Sequence, residues 1–299
     1  PHVAMITTVA AVHLEAFEDL SGIAEEKASI LEGVEQGGSG VLNRDIETYP
    51  QLLRTARRLG VEPVRFGSIG RPEFKLIDVR TNSKGTSVSA SANGERFFFQ
   101  LGAPGKHLAM NALGALACVE ALDADLARAA LALGDWRPPE GRGARWSIAT
   151  GKEGEILLID ESYNANPAAM AAAFEVLAEE DLTGRVSPRS KARRVAFLGD
   201  MLELGPEAGR LHADLAKSPA FDEITTVHCS GPWMRSLHEN LPARQKGEWF
   251  PDAQSMANGV GELLEAGDVA MVKGSNGSRV GLVVEAIKRM GVAQRTADH

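Results

Sequence analysis

Cysteine is nearly missing from this 299-residue sequence: only Cys118 and Cys229 occur, far apart and without paired spacing. That excludes a disulfide framework and a cysteine-based zinc site, and it fits a reducing cytoplasm. Positive charge is also in deficit, with 32 Lys and Arg against 40 Asp and Glu and a net charge of −8. A nucleic-acid coat or a basic membrane binder is excluded on that balance. No apolar run approaches the length of a membrane span, and the one nearest the start is broken by His13 and Glu15. The sequence opens on Pro1 with no basic stretch of a signal peptide, runs straight into a strand-like segment, and reads as a piece of something longer.

What is present is ordinary globular composition, 44% apolar and 24% charged, enough for two domains and their cores. The second half alternates apolar strands with helical patterns. Strands are expected at 156–160, 194–199, 225–230, 247–250 and 268–274, with helices at 167–180, 206–217, 232–240, 252–266 and 279–290. Five strand–helix units in a row predict a doubly wound, Rossmann-like parallel sheet with helices on both faces. Asn166 followed by Pro167 marks a capped helix start. The first half is mixed. Strands are expected at 3–10, 40–43 and 61–67, with helices at 21–34, 48–59 and 106–122. Between them, alternating SVSAS and RFFFQL flank Asn93-Gly94, a hairpin turn signal. The Pro-, Gly- and Arg-rich segment WRPPEGRGAR (136–145) places the boundary, giving domains 1–142 and 143–299.

Several residues stand out chemically. On a helix over 21–34, Ile23, Ile30, Leu31 and Val34 form one face with Lys27 in its middle. A desolvated ammonium snorkels, finds a partner or loses its proton. A neutral amine can also take up carbon dioxide as a carbamate, a carboxylate-like metal ligand. His13, after the first strand, stands where α/β proteins place ligands; it suits a metal ligand or a structural histidine. DESYNANP (160–167) gathers Asp160, Glu161, Ser162, Tyr163, Asn164 and Asn166 in one strand-to-helix loop, suited to a ribose or peptide-like substrate, or to turn and cap chemistry alone. KGSNGSR (273–279), with Lys273 and Ser275, could hold an anion at a helix start, but its spacing and position fail as a dinucleotide fingerprint. Asn111, on the rim of the apolar face of 106–122, could reach a base or ribose, or bond within its own helix. The arginines of 185–194 suit a solvated loop.

Taken together, ITTVAAVHLEAF with GIAEEKASIL, then DESYNANPAAM, FLGDMLELG and VKGSNGSR, resemble in order the motifs of the Mur ligases of peptidoglycan synthesis. The nearest likeness is to the branch that adds D-alanyl-D-alanine to UDP-MurNAc-tripeptide, and it covers essentially the whole chain. The resemblance implies a partial central ATPase domain, a mixed sheet with antiparallel strands, followed by the family's Rossmann-like C-terminal domain. It implies ATP-dependent amide ligation through an acyl phosphate, with Mg2+ held by His13 and by a carbamylated Lys27. It implies nucleotide contacts from Asn111, from Arg142 or Arg145 toward the phosphates, and from Asp160 in preference to Glu161 toward the ribose. Tyr163, Asn164, Asn166, Lys273 and Ser275 would lie by the substrates. The sequence departs from the family in lacking the GTxGKT phosphate loop, the upstream magnesium-binding glutamate and the UDP-sugar domain, and Leu108 replaces a second family asparagine. The isolated chain is therefore expected to be inactive. A folylpolyglutamate- or cyanophycin-type ligase, or a non-catalytic remnant that binds a ligand or partner, are the competing readings.

Overall fold

The computed structural model describes residues 1–9, 19–82, 85–150, 154–185 and 191–296. The chain divides into two compact units, Pro1–Trp136 and Arg137–His299. The division falls before residue 142 because the Pro/Gly-rich segment is hydrogen-bonded into the second unit: the amides of Gly141 and Gly143 both donate to Asp160.

The first unit is a six-stranded sheet in sequential order, β1 (Val3–Ile6), β2 (Ser39–Asn43), β3 (Glu62–Gly67), β4 (Phe74–Asn82), β5 (Gly85–Ala92) and β6 (Glu95–Leu101). β1 to β4 run parallel, and β4, β5 and β6 form an antiparallel meander. The Asn93-Gly94 turn has positive φ at both residues, 49° and 93°, which matches the right-handed twist of the strands it joins. Helices α1 (Leu20–Ala28) and α2 (Tyr49–Arg58) bring Ile23, Ala24, Leu52 and Ala56 against Ala4, Ile6 and Leu42. A separate core gathers Ala112, Leu113 and Leu116 of α3 (Lys106–Ala121) with Val41, Phe66 and Phe74. Gly114 permits that close approach: a Cβ there would sit 2.9 Å from the sulfur of Met5 and 3.0 Å from the Phe66 ring. A short α4 (Leu126–Ala132), unexpected from the sequence, packs beside β6.

The second unit holds seven strands: β7 (Ala144–Ala149), β8 (Glu155–Glu161), β9 (Arg194–Gly199), β10 (Thr226–Ser230), β11 (Lys246–Phe250), β12 (Val269–Lys273) and β13 (Val292–Arg295). Their order is β11-β10-β9-β12-β8-β7-β13. The five expected strands are parallel, but β7 and β13 are antiparallel additions, so the sheet is mixed. Those two strands lie toward and at one edge, where exposed residues such as Val292, Gln294 and Arg295 are tolerated, and so lack the continuous apolar run of an inner parallel strand. One face buries α5 (Pro167–Ala178), α6 (Ala208–Ala213) and α7 (Met234–Asn240) through Met170, Phe174, Ala208, Met234 and Leu237. The other buries α8 (Ala253–Gly259) and α9 (Gly281–Lys288) through Met256, Val283 and Ile287. Several helices are shorter than their apolar periodicity suggests. The 206–217 pattern, for example, is split into α6 between two 3-10 turns.

His228 on β10 is buried and neutral. Its ring stacks on Phe197 with centroids 5.0 Å apart, and its Nδ1 accepts from the Glu248 amide at 2.9 Å. Burial, with Arg193 and His238 adding positive charge nearby, pulls its pKa from 6.5 down to about 4. The unfolded chain therefore binds a proton that the fold excludes between those values. Stability should be full above pH 6.5 and fall by roughly 3 kcal/mol as the pH drops through that window. An NMR titration of the His228 ring in the folded chain should give a midpoint near 4. A midpoint above 6 would contradict the argument.

Candidate functional site

In the second unit the strand order inserts β12 between β8 and β9, so three strand-to-helix loops converge at one end of the sheet: DESYNANP, GDMLELG and KGSNGSR. This is the carboxyl end of the parallel strands, where open α/β sheets bind ligands. The loops are tied to one another. Lys273, 3% exposed, donates from Nζ to Glu161 Oε2 at 3.3 Å and to the Asn164 carbonyl at 3.1 Å. The Ser275 hydroxyl accepts from the Leu202 amide at 2.9 Å and reaches the Ala165 carbonyl at 3.4 Å. The Ser275 amide in turn donates to the Asp200 carbonyl at 3.0 Å.

Asp160, expected toward a ribose, is instead buried and occupied. Its Oδ2 accepts from the Gly141 amide at 2.8 Å, and its Oδ1 accepts from the Ser162 hydroxyl and amide at 2.6 and 3.1 Å. A buried carboxylate needs such donors, and three of them converge on this one. Glu161, half-buried, is the more open of the two acids. Lys273 and Ser275 likewise point into the loop scaffold. Asn166 caps α5, its Oδ1 accepting from the Ala169 amide at 2.9 Å. Tyr163 and Asn164 are exposed.

The two linker arginines are separated by their surroundings. Arg145 on β7 is buried in an ion pair with Glu180, whose side chain is 2% exposed. Arg142 is exposed, with its guanidinium 4.1 Å over the Tyr163 ring. Of the pair, only Arg142 can meet an anion from solvent.

Two residues of this loop cluster escaped the sequence reading. Asp200, at the end of β9, accepts the Met234 amide at the start of α7 at 2.7 Å, and burial raises its carboxyl pKa. His212 on α6 accepts the Met201 amide on Nε2 at 2.9 Å and donates from Nδ1 to the Ala208 carbonyl at 2.6 Å. Burial keeps it neutral, as that tautomer requires. The acid directly after an apolar strand was a usable signal for Asp200. No local signal marks His212, whose partner lies eleven residues back.

In the first unit, Lys27 is exposed rather than central to a buried face, and Ile30 beside it is 49% exposed. The α-helix ends at Ala28 and continues as a 3-10 turn over Ser29–Gly33, so the buried set becomes Ile23, Ala24, Ala28 and Leu31. Lys27 lines a cleft of about 520 Å³ with Met5, Ile6, Thr7, Thr8, Glu26, Ser29 and Ile30. Nearby, Asn43 donates to the Thr7 carbonyl at 2.7 Å, and Asp45 accepts from the Ser68 and Ile69 amides at 2.6 and 3.0 Å. These bonds staple together the ends of β1, β2 and β3. Asn111 is exposed on α3. His13, Glu15 and much of the 185–194 basic stretch lie outside the described residues. Among the described residues, no three His, Cys, Asp or Glu side chains gather into a metal cluster, and no helix is long and apolar enough to cross a membrane.

Residues 1–119 match the family model of the Mur ligase middle domain, and 144–276 match that of the Mur ligase, glutamate ligase domain. The chain belongs to the Mur ligases. This Mur ligase chain is 26% identical to the UDP-N-acetylmuramoyl-tripeptide–D-alanyl-D-alanine ligase of Rickettsia prowazekii, over 95% of its own length and 61% of the relative's. Against the enzyme of that name from Escherichia coli K12 the identity is 29%, over 97% of this chain and 61% of the other. In fold it is similar to the MurF ligase of Thermotoga maritima solved in complex with ADP, with a TM-score of 0.75 at 22% identity, covering 97% of this chain and 62% of that one. The Mur ligase chain thus spans less than two thirds of the length of the curated relatives it matches.

Proposed function

We propose that this chain is the later part of an ATP-dependent ligase that joins D-alanyl-D-alanine to UDP-MurNAc-tripeptide in peptidoglycan precursor synthesis. The observation that carries the reading is the convergence of DESYNANP, GDMLELG and KGSNGSR at neighbouring strand ends, in a chain whose curated relatives bear that name along nearly its whole length. In this reaction the terminal carboxylate of the tripeptide attacks the γ-phosphoryl group of ATP, and ADP leaves. The amine of D-alanyl-D-alanine then displaces phosphate from the acyl phosphate. Such a transfer is carried by positioning and charge neutralisation.

The chain's own residues divide that work. Arg142, exposed and without a carboxylate partner among the described residues, faces the phosphates, while Arg145 serves the core. Glu161 takes the ribose contact, and Asp160 holds the loop that presents it. Asn111 contacts the nucleotide, Asn164 lies toward the substrates, and the Tyr163 ring lies under the Arg142 guanidinium. Mg2+ suits the cleft beside Lys27, whose polar lining of Thr7, Thr8, Glu26 and Ser29 offers oxygen donors, the kind a hard cation takes. Lys27, as its carbamate, and His13 would hold it, and the ion would supply charge neutralisation to the transferring phosphoryl group.

The test is ligation by the longer enzyme that contains this chain. ADP, phosphate and the amide product should appear in equal amounts with UDP-MurNAc-tripeptide, D-alanyl-D-alanine and Mg-ATP. Turnover of a folate with glutamate, and none of the muramoyl peptide, would place the chain in a different branch. The 299-residue chain alone, which contains no GTxGKT loop, should show no ligation and no submicromolar Mg-ATP site by calorimetry.

A further inference from the structure

The backbone leading into β7 makes a bend that glycine enables. Gly141 has φ +74° and Gly143 φ +101°, a region other residues enter only at a cost. This bend is tied to the end of β8. The Gly141 amide donates to Asp160 Oδ2, the Gly143 amide donates to the Asp160 carbonyl at 2.8 Å, and the Tyr163 amide donates to the Gly141 carbonyl at 3.0 Å. A Cβ at Gly141 would fall 2.8 Å from that of Tyr163, so the two segments are in direct contact. The backbone of Arg142 is therefore held at a set distance from that of Tyr163 before either side chain is placed.

On this frame the Arg142 guanidinium lies 4.1 Å from the centroid of the Tyr163 ring. The ring is not there to fill a core, since Tyr163 is 49% exposed. An arginine that docks edge-on to a carboxylate, as Arg145 does with Glu180, commits its N–H donors and its charge to that partner. A guanidinium stacked on a ring is different: its five donors lie in its own plane and remain open at the edge. Stacking thus removes rotamer freedom from a long side chain without neutralising it.

We propose that Tyr163 is a positioning residue, whose ring holds the Arg142 guanidinium over its face and leaves N–H donors free for a phosphoryl group. This rests on the reading of Arg142 as the phosphate-facing arginine and adds the side chain that orients it. Aromatic character, not the phenolic hydroxyl, is what the role requires.

The structural part is testable in the 299-residue chain by NMR. The Arg142 side-chain protons should be shifted upfield by the ring in the native chain and in Tyr163→Phe, and should lose that shift in Tyr163→Leu. In the longer ligase, Tyr163→Phe should turn over several-fold faster than Tyr163→Leu. Tyr163→Leu should lower kcat about two- to fivefold, the size of one exposed cation–π contact, with the KM for D-alanyl-D-alanine unchanged. In an Arg142→Met background the same Tyr163→Leu change should cost almost nothing further. An equal cost in both backgrounds would mean that the ring touches substrate itself, and a Tyr163→Phe enzyme as slow as Tyr163→Leu would mean that the hydroxyl matters; either overturns the proposal. Full turnover in Arg142→Met alone would instead remove the arginine reading on which it stands.

Discussion

Replacing Lys27 with alanine in the longer ligase should lower turnover by roughly 10²–10³-fold, the loss expected when one preorganised charge-stabilising group is removed. The fold should not suffer. Lys27 is exposed on α1, and the buried contacts of that helix are made by Ile23, Ala24 and Ala28. Exposed substitutions of this kind usually change stability by less than about 0.5 kcal/mol. The effect on rate comes from the cleft at the end of β1, which Lys27 lines together with Thr7 and Thr8. Excess bicarbonate should not restore the alanine variant, since no amine is left to form a carbamate. Steady-state kinetics with a parallel melting curve checks both halves of the expectation. Near-native turnover would make Lys27 an ordinary solvated lysine.

Arg145→Met should produce the opposite outcome, a damaged fold. Arg145 and Glu180 are 7% and 2% exposed, and each neutralises the other inside the second unit. Removing the cation leaves a buried, uncompensated carboxylate, which costs about 3–5 kcal/mol. Replacing both, as Arg145→Met with Glu180→Leu, should recover most of that loss, because two apolar groups of similar volume need no partner. Arg142→Met, three residues earlier, should leave stability within about 0.5 kcal/mol of native, as exposed changes do. Urea unfolding of the four proteins is the measurement. A loss below about 1 kcal/mol for Arg145→Met would show the pair to be far better hydrated than its burial indicates.

That contrast shows where sequence reading stops. Arg142 and Arg145 have the same chemistry and near-identical position in a Gly- and Pro-rich segment, and nothing local distinguishes them. They part because β7 pairs with β8 in one register, which carries Arg145 inward to meet Glu180 beyond the end of α5. Asp160 and Glu161 part for a similar reason. Along a strand, successive side chains face opposite ways, and the neighbouring Gly141 amide decides which carboxylate is consumed.

Features written in short-range chemistry were fully legible. The Asn93-Gly94 turn, the Asn166-Pro167 helix start and the five parallel strands of the second unit each depend on propensities and periodicities within a few residues. Two of the polar loops after strands, DESYNANP and KGSNGSR, were visible for the same reason, and GDMLELG only through the family resemblance. That they form one site was not, because β12 enters between β8 and β9 only when the sheet is assembled. Nor was the exposure of Lys27 visible, since a helical wheel assumes α geometry throughout and the chain turns 3-10 after Ala28. Burial is set by what packs against a side chain, and here those neighbours come from distant parts of the chain; the sequence determined the strands, turns and caps, while the tertiary structure alone decided which charged groups face solvent and which support the core.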